Sequence, residues 1–168
     1  TLAAGSREIE SFNRNRHSKI EPAPVDRTLG VLRFDDAEIG APLALVVNFT
    51  AHPTSIPSER LEFSADYIGA LRATIAEERG GRAVFMQGAS GDLSTDRRAH
   101  GDHVAYGRAL GKQAVALAAS LAPEVPADPR LAVHEERFAF ESRVDFRNPL
   151  VVRSEEHTSE LQSPYVIS

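Results

Sequence analysis

Hydrophobic and polar positions alternate along much of the chain, and the alternation predicts several strands. Residues 28–34 alternate, and after a polar turn the most apolar run of the sequence covers residues 42–47. A short run rich in β-branched residues is typical of a buried strand, so these segments predict a β-hairpin ending at Phe49. Residues 82–87 and 130–140 predict two further strands.

The first helix is predicted between the hairpin and the strand at 82–87. Ser64 is the expected N-cap, Asp66 lies in the first turn, and Gly80 and Gly81 end the helix. Its apolar positions are spaced as i, i+3 and i+7: Ile68, Leu71 and Ile75.

A second helix is predicted after residue 102, with Asp102 as its cap. Its apolar face consists of Tyr106, Leu110, Ala114, Leu117 and Leu121. The alternation of strands and helices predicts an α/β fold, a layered mixed sheet flanked by helices, as a fragment of a larger catalytic domain.

Composition excludes several classes of protein. The net charge of −5 and the missing basic stripe exclude a nucleic-acid-binding protein. The hydrophobic content of 42% predicts a globular chain, and no apolar run reaches the ~20 residues of a membrane span. The absence of cysteine excludes a disulfide framework and thiolate chemistry.

Both ends of the sequence have unusual features. The chain starts at Thr1 and its one methionine is Met86, so we expect the native start to be missing or processed away. Residues 153–168 resemble, codon after codon, the translation of a DNA sequencing adapter. We expect them to be a non-native tail and residues 1–152 to belong to a longer protein.

His52 is the first residue with candidate chemistry. It follows the buried strand, and Pro53 keeps it out of the helical region on a stiff turn. Neutral imidazole is a common zinc ligand, so His52 is a candidate metal ligand. The alternative is a buried histidine that is hydrogen-bonded to the backbone.

The loop at 88–96 is the second candidate. Gly88 and Gly91 could let backbone N–H groups turn towards an oxyanion, and Ser90 or Ser94 could act as nucleophile or hydrogen-bond donor. The alternative is an ordinary strand-to-helix turn. We expect this loop and the His52 loop to meet at one edge of the sheet and build half of an active site.

Two polar clusters lie nearby. His100 and His103 could form a metal pair, but an exposed helix start capped by Asp102 is the preferred interpretation. Arg14 and Arg16 could hold an anion or a carbonyl group, although lone arginines are usually solvated.

Several short motifs occur in a specific order over roughly residues 10–98. They are Asn13-Arg14, the alternating segment 29–34, Asn48-Phe49-x-x-His52-Pro53-Thr54-Ser55, Ser64-x-Asp66-x-x-Gly69 and Gly91-Asp92-Leu93-Ser94. Their order resembles the N-terminal catalytic domain of neutral/alkaline non-lysosomal ceramidases and their bacterial relatives. By this resemblance, residues 1–152 are part of such a domain.

The resemblance implies a zinc-dependent amide hydrolase that splits N-acylsphingosine (ceramide) into sphingosine and fatty acid. It implies that His52 is a zinc ligand, Ser94 is the catalytic residue and Arg14 lines the pocket, with Arg16 as the alternative in a shifted register. Gly91 and Asp92 would take part in substrate binding. The family's other ligands, a histidine, a glutamate and a tyrosine, would lie outside this chain, which alone is expected to be inactive.

The resemblance also implies partners and a compartment. We expect Zn²⁺ as cofactor, a ceramide-like lipid amide as substrate, access to it at a membrane surface, and a secreted or periplasmic protein. The family usually reads Ser-Pro-Asn where this chain has Ser94-Thr95-Asp96. Another N-acyl or ester lipid as substrate, or a non-catalytic relative of the scaffold, therefore stays open.

Overall fold

The computed structural model describes residues 1–57, 59–126, 128, 130 and 132–139. All its helices and strands lie in the first of two units, Thr1–Pro129, and the second is Arg130–Ser168. The rest of the expected domain, 140–152, and the expected non-native tail, 153–168, lie outside the described residues.

Within the described residues, six strands form two sheets. The strands are β1 (Leu2–Glu8), β2 (Asn13–Asn15), β3 (Thr28–Asp35), β4 (Pro42–Phe49), β5 (Arg82–Gln87) and β6 (Leu93–Thr95). The larger sheet has the order β1-β3-β4-β5; β4 and β5 pair in parallel, and the other pairs are antiparallel. The second sheet is the antiparallel pair β2 and β6. The predicted mixed sheet, the β3–β4 hairpin and the strand at 82–87 are confirmed.

The strand predicted over residues 130–140 is wrong for the part that is described. Residues 132–139 form no strand, and all of them are exposed. An alternating pattern produces a strand only where a neighbouring strand accepts its hydrogen bonds and one face is buried. Neither condition is met for these eight residues.

The part of the chain that the structure describes contains two helices, α1 (Asp66–Glu78) and α2 (His103–Ala119). The N-cap of α1 is Ala65 and not Ser64, although the Ser64 hydroxyl accepts a hydrogen bond from the Asp66 N–H at 3.0 Å. The predicted cap of α2 is confirmed, because Asp102 Oδ1 accepts the Ala105 N–H at 2.8 Å. Neither helix among the described residues is long and apolar enough to cross a membrane.

The core lies between the helices and one face of the larger sheet. Alternate residues of β4, namely Leu45, Val47 and Phe49, are fully buried on this face and belong to one hydrophobic cluster with both helices. On the opposite face of the larger sheet, four apolar side chains remain 36–55% exposed: Leu32, Phe34, Val84 and Met86. We call these four residues the open sheet face.

The two helices pack closely because glycines of α2 lie against α1. A Cβ atom at Gly107 would stand 2.2 Å from the Tyr67 carbonyl oxygen, and one at Gly111 would stand 2.9 Å from the Thr74 Cβ. The absence of these two side chains lets the buried rings of Tyr67 and Tyr106 meet edge to face, with centroids 5.0 Å apart.

Candidate active site

Strand β6 brings the main candidate residues together. Ser94 pairs with Arg14 of β2 on one side and with His52, through a parallel bridge, on the other. The bridge is held by the His52 N–H, which donates to the Leu93 carbonyl at 2.9 Å. Neighbouring strands lie about 4.8 Å apart, and residues paired directly across them project to the same face. Arg14, Ser94 and His52 therefore form one row, and the expected meeting of the two loops is confirmed.

The His52 side chain has an unsatisfied nitrogen. Its Nδ1 is buried and has no hydrogen-bond partner among the described residues. A buried polar atom without a partner costs about 1–3 kcal/mol, so this nitrogen requires a ligand or a hydrogen-bonding group. It suits a zinc ion as one ligand. The described residues contain no group of three or more His, Cys, Asp or Glu that could hold a metal, so a complete site needs further ligands.

Helix α1 fixes the backbone on both sides of His52. The Tyr67 hydroxyl donates to the Ala51 carbonyl at 2.7 Å, and the Asp66 carboxylate accepts the Ser55 N–H at 2.7 Å. The same carboxylate oxygen also accepts the next N–H along the loop, at 3.1 Å. The first turn of α1 thus presents the imidazole on a constrained turn.

Helix α2 fixes the strand that carries Arg14. The Tyr106 hydroxyl donates to the Phe12 carbonyl at 2.6 Å, just before β2 begins. Burial raises the pKa of both Tyr67 and Tyr106 well above the ordinary value, and the charge of Asp66 adds to the effect. Both phenols therefore stay protonated and donate. The sequence analysis placed Tyr106 on the apolar face of a helix. The acceptors of the Tyr67 and Tyr106 hydroxyls cannot be predicted from the spacing of apolar residues.

Gly88 does not serve the oxyanion role considered for it. Its N–H donates to the Phe49 carbonyl at 3.1 Å, and a Cβ at this position would stand 2.1 Å from Thr50 Oγ1. The alternative interpretation, an ordinary turn, therefore holds for this residue, because its N–H is engaged in a backbone hydrogen bond and does not face a bound oxyanion. Gly88 is needed for the close approach of two backbone segments.

Gly91 and Asp92 connect the loop to the segment that follows Arg14. The Gly91 carbonyl accepts from the Arg16 guanidinium at 3.0 Å, and Asp92 Oδ2 accepts from the Asn15 side-chain amide at 2.7 Å. Arg16 is engaged by this loop, whereas Arg14 lies directly beside Ser94. The register therefore favours Arg14 over Arg16 as the site arginine, while the roles of Gly91 and Asp92 in substrate binding stay predictions.

A cleft of about 320 Å³ opens at Ser94. The residues that line it are Arg14, Thr54, Ser94, Thr95, Asp96, Arg97 and Arg98. His52 is not among them. The hydroxyl of Ser94 has no partner within the described part of the chain, so it is free to contact a bound molecule.

Asp96 forms an ion pair with Arg98 on the rim of the cleft. Arg98 donates to both carboxylate oxygens, at 2.8 and 2.6 Å. These hydrogen bonds hold the pKa of Asp96 below its ordinary value. Asp96 is therefore ionised and paired at neutral pH.

The segment at 100–103 is a helix start, as preferred. Asp102 caps α2, and the His100 ring stacks on Phe12 at 4.1 Å with its Nε2 3.0 Å from the Ser11 carbonyl oxygen. His100 is thereby occupied by packing and hydrogen bonding.

No protein-family model matches the chain, and no curated protein matches it. Solved structures that match include a ceramidase complexed with C2 and the neutral ceramidase from Pseudomonas aeruginosa. Each is 24% identical to this chain with a TM-score of 0.56, and each match covers 71% of this chain and 22% of the other. The chain thus spans about a fifth of those structures, and it has the fold of the matching part of neutral ceramidase.

Proposed function

We propose that this chain carries part of the active site of a zinc-dependent amide hydrolase similar to neutral ceramidase, which cleaves N-acylsphingosine to sphingosine and fatty acid. The observation that carries the proposal is the row of Arg14, Ser94 and His52, built by strand pairing within the shared fold. The order of motifs in the sequence supports the same assignment.

His52 would hold the metal as one ligand through its imidazole, and the unsatisfied Nδ1 supports this role. When bound, zinc supplies Lewis-acid polarisation of the scissile carbonyl and makes water acidic enough to ionise near neutral pH. The hydrogen bonds from Tyr67 and to Asp66 orient the turn that carries the imidazole. Because the described residues offer this one ligand alone in the site, the others would come from elsewhere in the protein.

Ser94 and Arg14 would act on the substrate. Negative charge develops on the carbonyl oxygen as the amide is attacked, and a hydroxyl or guanidinium donor stabilises it. Both residues line the cleft, and neither has a side-chain hydrogen bond within the described residues. Strand pairing fixes their backbones, so little rearrangement is needed when the substrate binds.

The test uses the protein encoded by the uninterrupted gene. Zinc content is measured by metal analysis, and fatty-acid release is measured from N-acylsphingosine in detergent micelles. We expect His52→Ala to lose zinc and activity together. We expect Ser94→Ala to keep zinc and to lose about 100-fold or more in turnover, as when an oxyanion donor is removed.

His103→Ala is the matched control, because this imidazole lies at the start of α2 and not in the row of strands. It should keep both zinc and activity. Retention of zinc by His52→Ala would remove the metal assignment, and unchanged turnover of Ser94→Ala would remove the serine from the site. A protein that binds zinc but hydrolyses no amide or ester lipid would be a non-catalytic relative.

A further inference from the structure

The cleft beside Ser94 carries an excess of positive charge. Three arginines and one aspartate line it, which leaves a net charge of +2 in a chain whose net charge is −5. Since Arg98 is committed to Asp96 through two hydrogen bonds, the excess charge belongs to Arg14 and Arg97.

The two remaining guanidinium groups have no hydrogen-bond partner within the described residues, although the charge of Arg14 acts on Asp96 and both backbones are fixed. Neither Arg14 nor Arg97 makes a side-chain hydrogen bond or an ion pair within the described residues. Arg14 is held in β2 opposite Ser94, and the Arg97 carbonyl accepts the N–H groups of His100 and Gly101 at 3.0 and 2.8 Å. Two exposed donors on fixed backbones can bind a planar anion without ordering a loop first.

We propose that Arg14 and Arg97 form a subsite that selects N-acyl amides carrying an anionic group, such as the carboxylate of an N-acyl amino acid. This inference rests on the proposed amide hydrolase function, and it changes the favoured substrate from N-acylsphingosine, which carries no anionic group, to an amide that carries one. A guanidinium matches a carboxylate with two parallel N–H donors, whereas a hydroxyl-bearing ligand receives no comparable charge-assisted bond. A carboxylate held here would place the adjoining amide next to the Ser94 hydroxyl, which lines the same cleft.

The test is a binding measurement on the protein encoded by the uninterrupted gene, with its metal removed by a chelator so that no turnover occurs. The probes are N-octanoylglycine and N-octanoylethanolamine, which share the acyl chain and the amide and differ in the terminal group. Binding is followed by isothermal titration calorimetry at two salt concentrations. We expect the glycine conjugate to bind about tenfold or more tightly, and this preference to weaken with added salt.

Arg97→Gln should abolish the preference for N-octanoylglycine. Arg108→Gln removes the same charge from the exposed side of α2 and should leave the preference unchanged, which controls for net charge. Circular dichroism of both variants checks that they fold. Equal binding of the two probes, no binding of either, or equal effects of the two substitutions would overturn the subsite.

The outcomes separate this inference from the proposed function. A binding preference that depends on Arg97, in a protein whose intact form hydrolyses no amide, would keep the subsite and reject the hydrolase. Hydrolysis of N-acylsphingosine by a protein that binds both probes equally would keep the hydrolase and reject the subsite.

Discussion

The close contact of α1 and α2 makes Gly107 a position where an added methyl group should destabilise the fold. A methyl group added there would stand 2.2 Å from the Tyr67 carbonyl oxygen, 2.8 Å from the Ala70 Cβ and 3.0 Å from the Leu71 nitrogen. Two of these atoms belong to backbone, so no side-chain rotation can relieve the overlap, and the helices must separate. Overpacking of this kind costs about 1–3 kcal/mol, and the higher helix propensity of alanine returns up to ~1 kcal/mol of that.

We therefore expect Gly107→Ala to lower the free energy of unfolding by about 1–2 kcal/mol. For a chain of this size that corresponds to a fall in Tm of roughly 2–8 °C. Thermal unfolding followed by circular dichroism at 222 nm measures the effect, and urea unfolding gives the free energy independently.

Gly69→Ala is the control, because Gly69 also lies inside a helix but its added methyl group would meet only the Ala65 Cβ, at 3.3 Å. Ala65 is the N-cap residue of α1, where the backbone can move by the few tenths of an ångström that the contact needs, so the propensity gain should offset the contact and leave the stability equal or higher. The packing argument fails if Gly107→Ala is as stable as Gly69→Ala.

Two further predictions concern buried polar groups. Asp35 is 3% exposed and pairs with Arg33 and with the buried guanidinium of Arg79. Asp35→Asn should therefore lower the free energy of unfolding, measured by urea unfolding, by about 3 kcal/mol. A loss below about 1 kcal/mol would contradict this prediction. Burial raises the pKa of Tyr67 and Tyr106 above the ordinary value of 10.0, so the stability that comes from keeping them neutral is complete below pH 10 and is lost as pH rises above it. In a titration of absorbance at 295 nm, two tyrosines should ionise only as the chain unfolds, and two normal midpoints near pH 10 would refute the assignment.

The strands and helices that could be predicted are those whose apolar and polar residues alternate because one face of the element is buried. Residues of β4 alternate because one face contacts the helices, and α2 begins where Asp102 caps it. Strand β1 was missed, since residues 1–10 are weakly patterned, rich in small residues, and gain their strand structure by pairing with β3. Gly5 illustrates this dependence on tertiary contact, because an added Cβ would stand 2.6 Å from a side-chain atom of Leu121.

Part of the candidate site could also be predicted from the sequence. His52 and Ser94 follow from the order of motifs, and the structure brings them together. The choice between Arg14 and Arg16 depends on strand register. The sequence does not fix this register, because the two arginines are separated by one position and fit the motif equally well. The hydrogen bond from Tyr67 to the turn before His52 joins residues 16 positions apart and appears only once α1 is packed on the sheet.

The open sheet face has a consequence for how the chain behaves in solution. Its four apolar side chains contact water from β3 (Leu32 and Phe34) and β5 (Val84 and Met86), and the partly exposed Val46 of β4 lies between them, paired with Leu32 on one side and Val84 on the other. Contiguous apolar surface of this kind favours self-association as protein concentration rises. A charged residue at Met86, the most exposed of the four, should therefore raise the solubility limit of the isolated chain without altering its hydrogen-bonded ladder.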